Sequence, residues 1–289
     1  MRMPLVIAVL TLAVSGCTTP DSGTTTTTIE TATTTTTTTT IAGDTPACLA
    51  GDMPFVAEGT VAALDSQGQD AKVIAGVRWY PLEGCERIEI EFVSDAGAPA
   101  TRIGPVGVSM LSDPGIVRVN LSESVTNSAV ADTTLNGTLV DRWFVVEDAE
   151  DGLIVDLHLN ERAAARAFTT TSPARLIIDL RATGDDLQIA TPMSGGGIVL
   201  LSPQAGVGLY PLQVVGYSAP GVDAVRIQLA DAAGIGVDRS ISTRSSAHVW
   251  HAFSVALSDG PSGAVDLRVG TVGEEGEPIF AIEVPLDLP

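Results

Sequence analysis

RIEIEF, residues 87–92, alternates charged and apolar side chains without a break. A repeat of two sends successive side chains to opposite sides of an extended backbone, so this stretch is a strand with one buried face. Ile88, Ile90 and Phe92 form the core face; Arg87, Glu89 and Glu91 form the wet one. Upstream, VIAGVRWY (73–80) reads as a neighbouring strand, joined to the first by a turn at 81–84. Downstream, IVRVNL (116–121) is a further strand. WFVV (143–146) and LIVDL (153–157) form a hairpin whose loop, EDAEDG (147–152), ends in the Asp-Gly pair that hairpin turns favour. Four carboxylates in that loop invite a calcium site, but the ligand spacing of an EF-hand is absent, and the loop reads as a solvated acidic turn. NERAAAR (160–166) is expected to be the one short helical segment, with Asn160 as its N-cap. SPARLIIDL (172–180) is the closing strand. After SGGG (194–197), read as a hinge, six more strands are expected at 198–203, 212–216, 225–229, 252–257, 265–269 and 279–284. The fold class that follows is all-β, two tandem β-sandwiches over residues 46–190 and 198–289.

The N-terminus predicts a compartment. Arg2 precedes an apolar run of about a dozen residues, too short to span a bilayer comfortably and typical of a signal-peptide core. Val14-Ser15-Gly16-Cys17 fits the bacterial lipobox, which makes residues 1–16 a lipoprotein signal peptide and Cys17 the lipidated residue. Residues 17–45 are mostly threonine, unbroken from Thr33 to Thr40. Nothing in them has apolar periodicity, so they are expected to be a solvated, disordered tether, either bare or carrying O-linked sugars. The expected location is the cell membrane, lipid-anchored on the extracytoplasmic side, at the cell surface or in the periplasm.

Composition narrows the partners. With 35 Asp and Glu against 15 Lys and Arg, the formal net charge is −20. Such a surface repels nucleic acid, so no nucleic-acid partner is expected. Lys72 is the single lysine beside fourteen arginines. Of three cysteines, lipidation takes Cys17, leaving Cys48 and Cys85 as an even pair in an oxidising compartment. They are expected to form a disulfide, stabilising the fold by roughly 4 kcal/mol on the chain-entropy view.

Two stretches resemble known families. VRWYPLEGCERIEIEF (77–92) and GLIVDLHLNERAAARAFTTTSPARLIIDL (152–180) are similar to the AMIN-like domains of bacterial envelope lipoproteins. The likeness rests on the early strand, the strand around Arg87 and the closing S-P-x-R-L strand, and spans residues 71–182. It implies a β-sandwich that places envelope proteins at peptidoglycan. Cys85 in the turn departs from the pattern, and no amidase catalytic domain follows. In the second half, Ser202, Pro203, Gly206, Pro211, Leu212, Val214 and Gly216 carry an S-P-x-x-G…P-L-x-V-x-G pattern. It resembles the immunoglobulin-like domain of bacterial spore-germination and envelope proteins, which implies an interaction module.

Catalytic signals are missing: there is no G-x-S-x-G, H-E-x-x-H, Walker loop or Rossmann fingerprint. The expectation is no enzyme, no cofactor and no metal. His248 and His251, spaced H-x-x-H on a strand, fall on opposite faces and read as partly exposed, and His158 reads as lying on the solvent face. Arg78, Trp79, Tyr80 and Arg87 are the candidate binding residues, since rings and planar donors recognise sugars and peptides. The competing reading buries Trp79 beside Ile90 and leaves Arg87 solvated. Arg175 and Asp179 are expected as a same-face ion pair, and Trp143 and Trp250 as core residues. The function expected is a non-catalytic lipoprotein that binds peptidoglycan or another cell-wall glycan. The alternative is a scaffold whose immunoglobulin-like domain docks an envelope enzyme or secretion component. A hydrolase would need convergent carboxylates in a cleft. The lipobox reading predicts that Cys17→Ala leaves the protein folded but moves it out of the membrane fraction; cell fractionation after a salt wash checks this, and retention on the membrane would overturn it.

Overall fold

The computed structural model describes residues 48–65, 68–121, 123–185, 189–243, 248–273 and 275–289. Cys17, the expected signal peptide and the whole of the expected threonine tether therefore lie outside the described residues. Within them the chain is all-β, with no helix and so none long enough to cross a membrane. The strands are β1 Gly59–Leu64, β2 Val73–Leu82, β3 Cys85–Val93, β4 Val106–Leu111, β5 Ile116–Asn120, β6 Asn127–Ser128, β7 Asp132–Thr134, β8 Val140–Asp148, β9 Gly152–Leu159 and β10 Ala163–Thr170. They continue with β11 Arg175–Ala182, β12 Met193–Gly195, β13 Ile198–Ser202, β14 Gly206–Val207, β15 Leu212–Ser218, β16 Ala224–Asp231, β17 Gly234–Ser242, β18 Trp250–Leu257, β19 Gly263–Val272 and β20 Pro278–Leu288.

Three sheets result. One has ten strands in the order β1-β4-β5-β9-β8-β18-β15-β13-β12, with β7 added against β8. The others have five each, β10-β11-β3-β2-β6 and β14-β20-β19-β16-β17. The alternation at 87–92 is realised in β3, where Ile88 and Ile90 are fully buried and Phe92 nearly so. They meet Leu176, Ile178 and Leu180 of β11 and, across the sandwich, Val117, Val119, Trp143, Val145 and Leu157 of the ten-stranded sheet. A second core joins β16, β19 and β20 to the far end of that sheet, gathering Leu200, Val214 and Phe253 with Ile227, Leu267 and Val284.

Residues 160–166 contain no helix. Ala163–Thr170 is a strand paired with β11 along its whole length, from Ala163↔Ala182 to Thr170↔Arg175. Alanine's helix preference is a fraction of a kcal/mol per residue, and eight ladder pairs with burial of Ala163, Ala165 and Ala167 outweigh it. The glycine stretch 194–197 is a hairpin and no hinge: Gly195 pairs with Ile198, leaving Gly196 and Gly197 as a two-residue turn at φ +53° and +77°. Positive φ at both positions is what this turn requires. The acidic loop is a hairpin turn as expected, with the Asp148 carboxylate accepting from the Glu150 and Asp151 amides at 2.8 and 3.1 Å.

The ten-stranded sheet creases where β8 meets β18. Only Trp250↔Val146 and His251↔Glu147 pair there, and in parallel. Arg118 on β5 and Tyr217 on β15 are four strands apart, about 19 Å in a flat sheet. Yet Arg118 Nη2 donates to the Tyr217 hydroxyl at 3.1 Å, so the sheet folds back on itself. The fold encloses a third core of Ile116, Phe144, Val146, Ile154, Val199, Leu201, Tyr217 and Trp250. At its centre Asp156, fully buried, accepts a bidentate pair from Arg118 at 3.0 and 2.7 Å and a bond from the Tyr217 hydroxyl. Burial opposes charge on Arg118, but hydrogen bonding and attraction from Asp156 outweigh it and raise its pKa. Burial, then Asp156, pushes the Tyr217 phenol well above its ordinary range.

His158, expected on the solvent face, is buried in this third core, its ring 4.7 Å from that of Phe144. The crease supplies a cover that the strand alone lacks. His251 is likewise buried, with Nδ1 3.6 Å from Glu147, while His248 is exposed. Burial depresses the His158 pKa to about 4. The folded state thus favours the neutral ring, and the unfolded chain binds the proton near pH 6.5. The stability involved is intact above pH 6.5 and is lost as pH falls toward 4, by about 3 kcal/mol at most. Urea unfolding at pH 7 and pH 4 is expected to show this loss diminished by that amount in His158→Gln relative to the unsubstituted protein.

Candidate functional site

The sheet β10-β11-β3-β2-β6 turns one face to the first core and the other outward. Parity decides which side chain goes where. Opposite Ile88 stands Trp79, so Trp79 faces inward, paired with Ile88 and not with Ile90. It is partly buried against the core, and its Nε1 donates to Glu86 at 2.9 Å. Glu86 is itself buried and also accepts from the amides of Leu139 and Val140. Trp79 is therefore tied into the interior.

Arg78, Tyr80 and Arg87 share the outward face. Tyr80 stands opposite Arg87, which stands opposite Asp179, which stands opposite Arg166. Asp179 is fully buried and is clamped from both sides. Arg87 donates to it at 2.7 and 3.1 Å, and Arg166 through Nε and Nη2 at 3.1 Å each. Arg87 is thus ion-paired and only 21% exposed, not free in solvent. Its pKa is raised chiefly by the hydrogen bonds to Asp179. The expected Arg175–Asp179 pair does not form. Four residues along a strand place the two about 13 Å apart, and each pairs across strands instead. Arg175 reaches Glu89 at 3.4 Å and Glu91 at 3.1 Å, and Arg78 reaches Glu91 at 2.9 Å. Arg78 is the most open of these at 58% exposure, and its pKa is raised first by hydrogen bonding with Tyr80 and then by Glu91.

A strap formed by residues 48–56 borders this face. Cys48 and Cys85 lie at disulfide distance, with Cα atoms 6.5 Å apart, inside the range such a bond spans. The Cys48 carbonyl accepts from Arg166 at 2.9 Å, and Val56 bridges to Ala165. The Phe55 ring lies 4.9 Å from the Arg166 guanidinium and 4.6 Å from that of Arg181, within cation–π reach. Phe168 receives Arg87 in the same way at 5.9 Å.

Arg78, Tyr80 and Arg87, singled out from the sequence, thus share one face with Arg166, Arg175 and Arg181 and are bordered by Phe55, residues that the sequence did not group with them. A signal for Arg166 existed: it is the single charge in AAARAF, where it breaks an otherwise apolar strand. Among the described residues no group of His, Cys, Asp and Glu could hold a metal ion. The face carries planar cationic donors, a phenol, three carboxylates and two rings.

Because Arg166 is almost fully buried, removing the charge of Asp179 leaves it uncompensated. Asp179→Asn is expected to cost about 3 kcal/mol in urea unfolding, with a change below about 1 kcal/mol arguing that water reaches the pair. Compared with protein-family profiles, curated proteins and solved structures, the chain matches none.

Proposed function

We propose that the chain is a non-catalytic, lipid-anchored envelope lipoprotein that binds peptidoglycan or another cell-wall glycan through the outward face of the sheet bearing Arg78, Tyr80 and Arg87. The observation that carries the reading is the gathering of Arg78, Arg87, Arg175 and Arg181 on that one face, beside Tyr80, Phe55 and Phe168, with the buried Arg166 beneath them. Guanidinium groups donate several hydrogen bonds in a fixed plane, and aromatic rings accept the apolar faces of sugars, so the combination suits a polyhydroxylated polymer. Support also comes from the likeness of residues 71–182 to AMIN-like domains and from the lipobox at Cys17, both of which accord with a face turned toward the wall. The threonine tether supplies reach.

A second reading, docking of an envelope protein through residues 198–289, draws on Val207 and Leu209. They are 84% and 68% exposed and only two residues apart. Large apolar side chains left open side by side are uncommon away from contact surfaces.

Sedimentation of the full chain with purified cell-wall sacculi separates the two. The glycan reading expects retention that falls at least about fivefold in the double variant Arg78→Gln, Tyr80→Ala, equivalent to about 1 kcal/mol. Absence of retention at low salt, with a reproducible protein adduct on crosslinking in intact cells, would favour docking instead.

A further inference from the structure

Side chains two residues apart on a strand leave the same face at intervals of about 6.8 Å. Counted in such steps across β10, β11, β3 and β2, the arginines fall into consecutive rows. Arg181 stands in the first, opposite Ala164. Arg166 and Arg87 flank Asp179 in the second. Arg78 lies opposite Glu89 in the third, and Arg175 lies opposite Glu91 in the fourth. Each of four successive rows therefore holds at least one arginine, a ladder about 20 Å long.

Charge on the ladder is incompletely cancelled. On the outward face of these strands five arginines meet three carboxylates, Glu86 being turned inward, a local surplus of positive charge on a chain whose formal net charge is −20. Glu89 and Glu91 serve Arg78 and Arg175. Asp179 is shared by two arginines. The strap holds Arg181 by the Phe55 ring and Arg166 by the Phe55 ring and the Cys48 carbonyl, contacts that fix position without neutralising charge. Five of the fourteen arginines of so acidic a chain thus lie in register on one face of this sheet.

We propose that this ladder binds a linear anionic glycan, one whose carboxylate or phosphate groups recur along the chain at about 7 Å so that successive anions meet successive rows. The proposal rests on the reading of this face as the glycan-binding surface and names the ligand's chemistry. Negative charge elsewhere on the protein does not prevent it, because at physiological ionic strength fields decay over about 8 Å, less than half the ladder's length. Neutral glycan lacks the groups that would compensate the surplus arginines and binds weakly.

The test uses the full chain in detergent and fluorescent dextrans of matched length: neutral, carboxymethylated and phosphorylated. At about 50 mM salt, at least one anionic dextran is expected to bind and the neutral one not. Which anion binds distinguishes a carboxylate-bearing from a phosphate-bearing polymer. Affinity is expected to fall roughly tenfold at about 200 mM salt and roughly tenfold in the double variant Arg78→Gln, Arg175→Gln. Arg268→Gln, at an exposed arginine paired with Glu283 on another sheet, is expected to leave it unchanged. Circular dichroism verifies that the variants are folded. Failure of both anionic dextrans to bind, wild-type affinity in the double variant, or equal binding of a thymidine oligomer would each overturn the proposal. Retention on sacculi without binding to anionic dextrans would leave the glycan reading standing and remove this one. The reverse result would keep the ladder and remove peptidoglycan as its target.

Discussion

A single ten-stranded sheet supplies one wall to each of two hydrophobic cores, and everything else in the fold adjusts to that shared wall. A sheet has two faces, and the strands near the crease bury both of them. β5, β8 and β9 present Val117, Val145 and Leu157 to the first core and Ile116, Phe144 and Ile154 to the third. Asp156 on the second face is cut off from water, so its carboxylate must be satisfied by other side chains. Arg118 and Tyr217 do so, and the Trp250 indole donates to Asp132 at 2.8 Å across the same junction. Two ladder pairs between β8 and β18 are few, and these side-chain bonds with the ring packing of Phe144 and Trp250 hold the crease shut.

A second buried carboxylate, Asp179, works by the same chemistry on a different surface. Both aspartates are fully buried, and both receive a bidentate guanidinium from the adjacent strand and further bonding from one other residue, two bonds from Arg166 at Asp179 and one from Tyr217 at Asp156. A lone buried carboxylate is costly, and a forked donor offsets that cost while fixing the arginine in direction. At Asp156 the result is a closed interior joint. At Asp179 it is an ordered row on an outward face, bordered by the strap from Cys48 to Val56. The difference lies in what covers each: another part of the sheet over Asp156, and a short segment of irregular chain over one end of the arginine face.

Period-two alternation made β3 legible at once, and the same pattern located β5, β9, β11 and most strands of the second half. The pattern was least informative where both faces are buried or where side chains are small. In LIVDLHL, Asp156 and His158 occupy the face that a simple sandwich leaves wet, so His158 read as exposed although the crease encloses it. In AAARAF, alanine's local preference for helix concealed a strand that exists because β11 is available to pair with it. Trp79 and Arg78 illustrate a separate point: neighbours in sequence on a strand cannot belong to one patch, and parity assigns only Arg78, Tyr80 and Arg87 to the open face.

Sequence alone determined the all-β class and the acidic hairpin turn, because each follows from local periodicity or turn chemistry; tertiary structure brings Cys48 and Cys85 to disulfide distance. Tertiary structure decided which charges meet. Arg87, Arg166 and Asp179 come from three strands separated by as many as 92 residues, and Arg118 and Tyr217 by 99. No local signal encodes such partners, since they are set by strand order, register and the angle at which one sheet folds over itself.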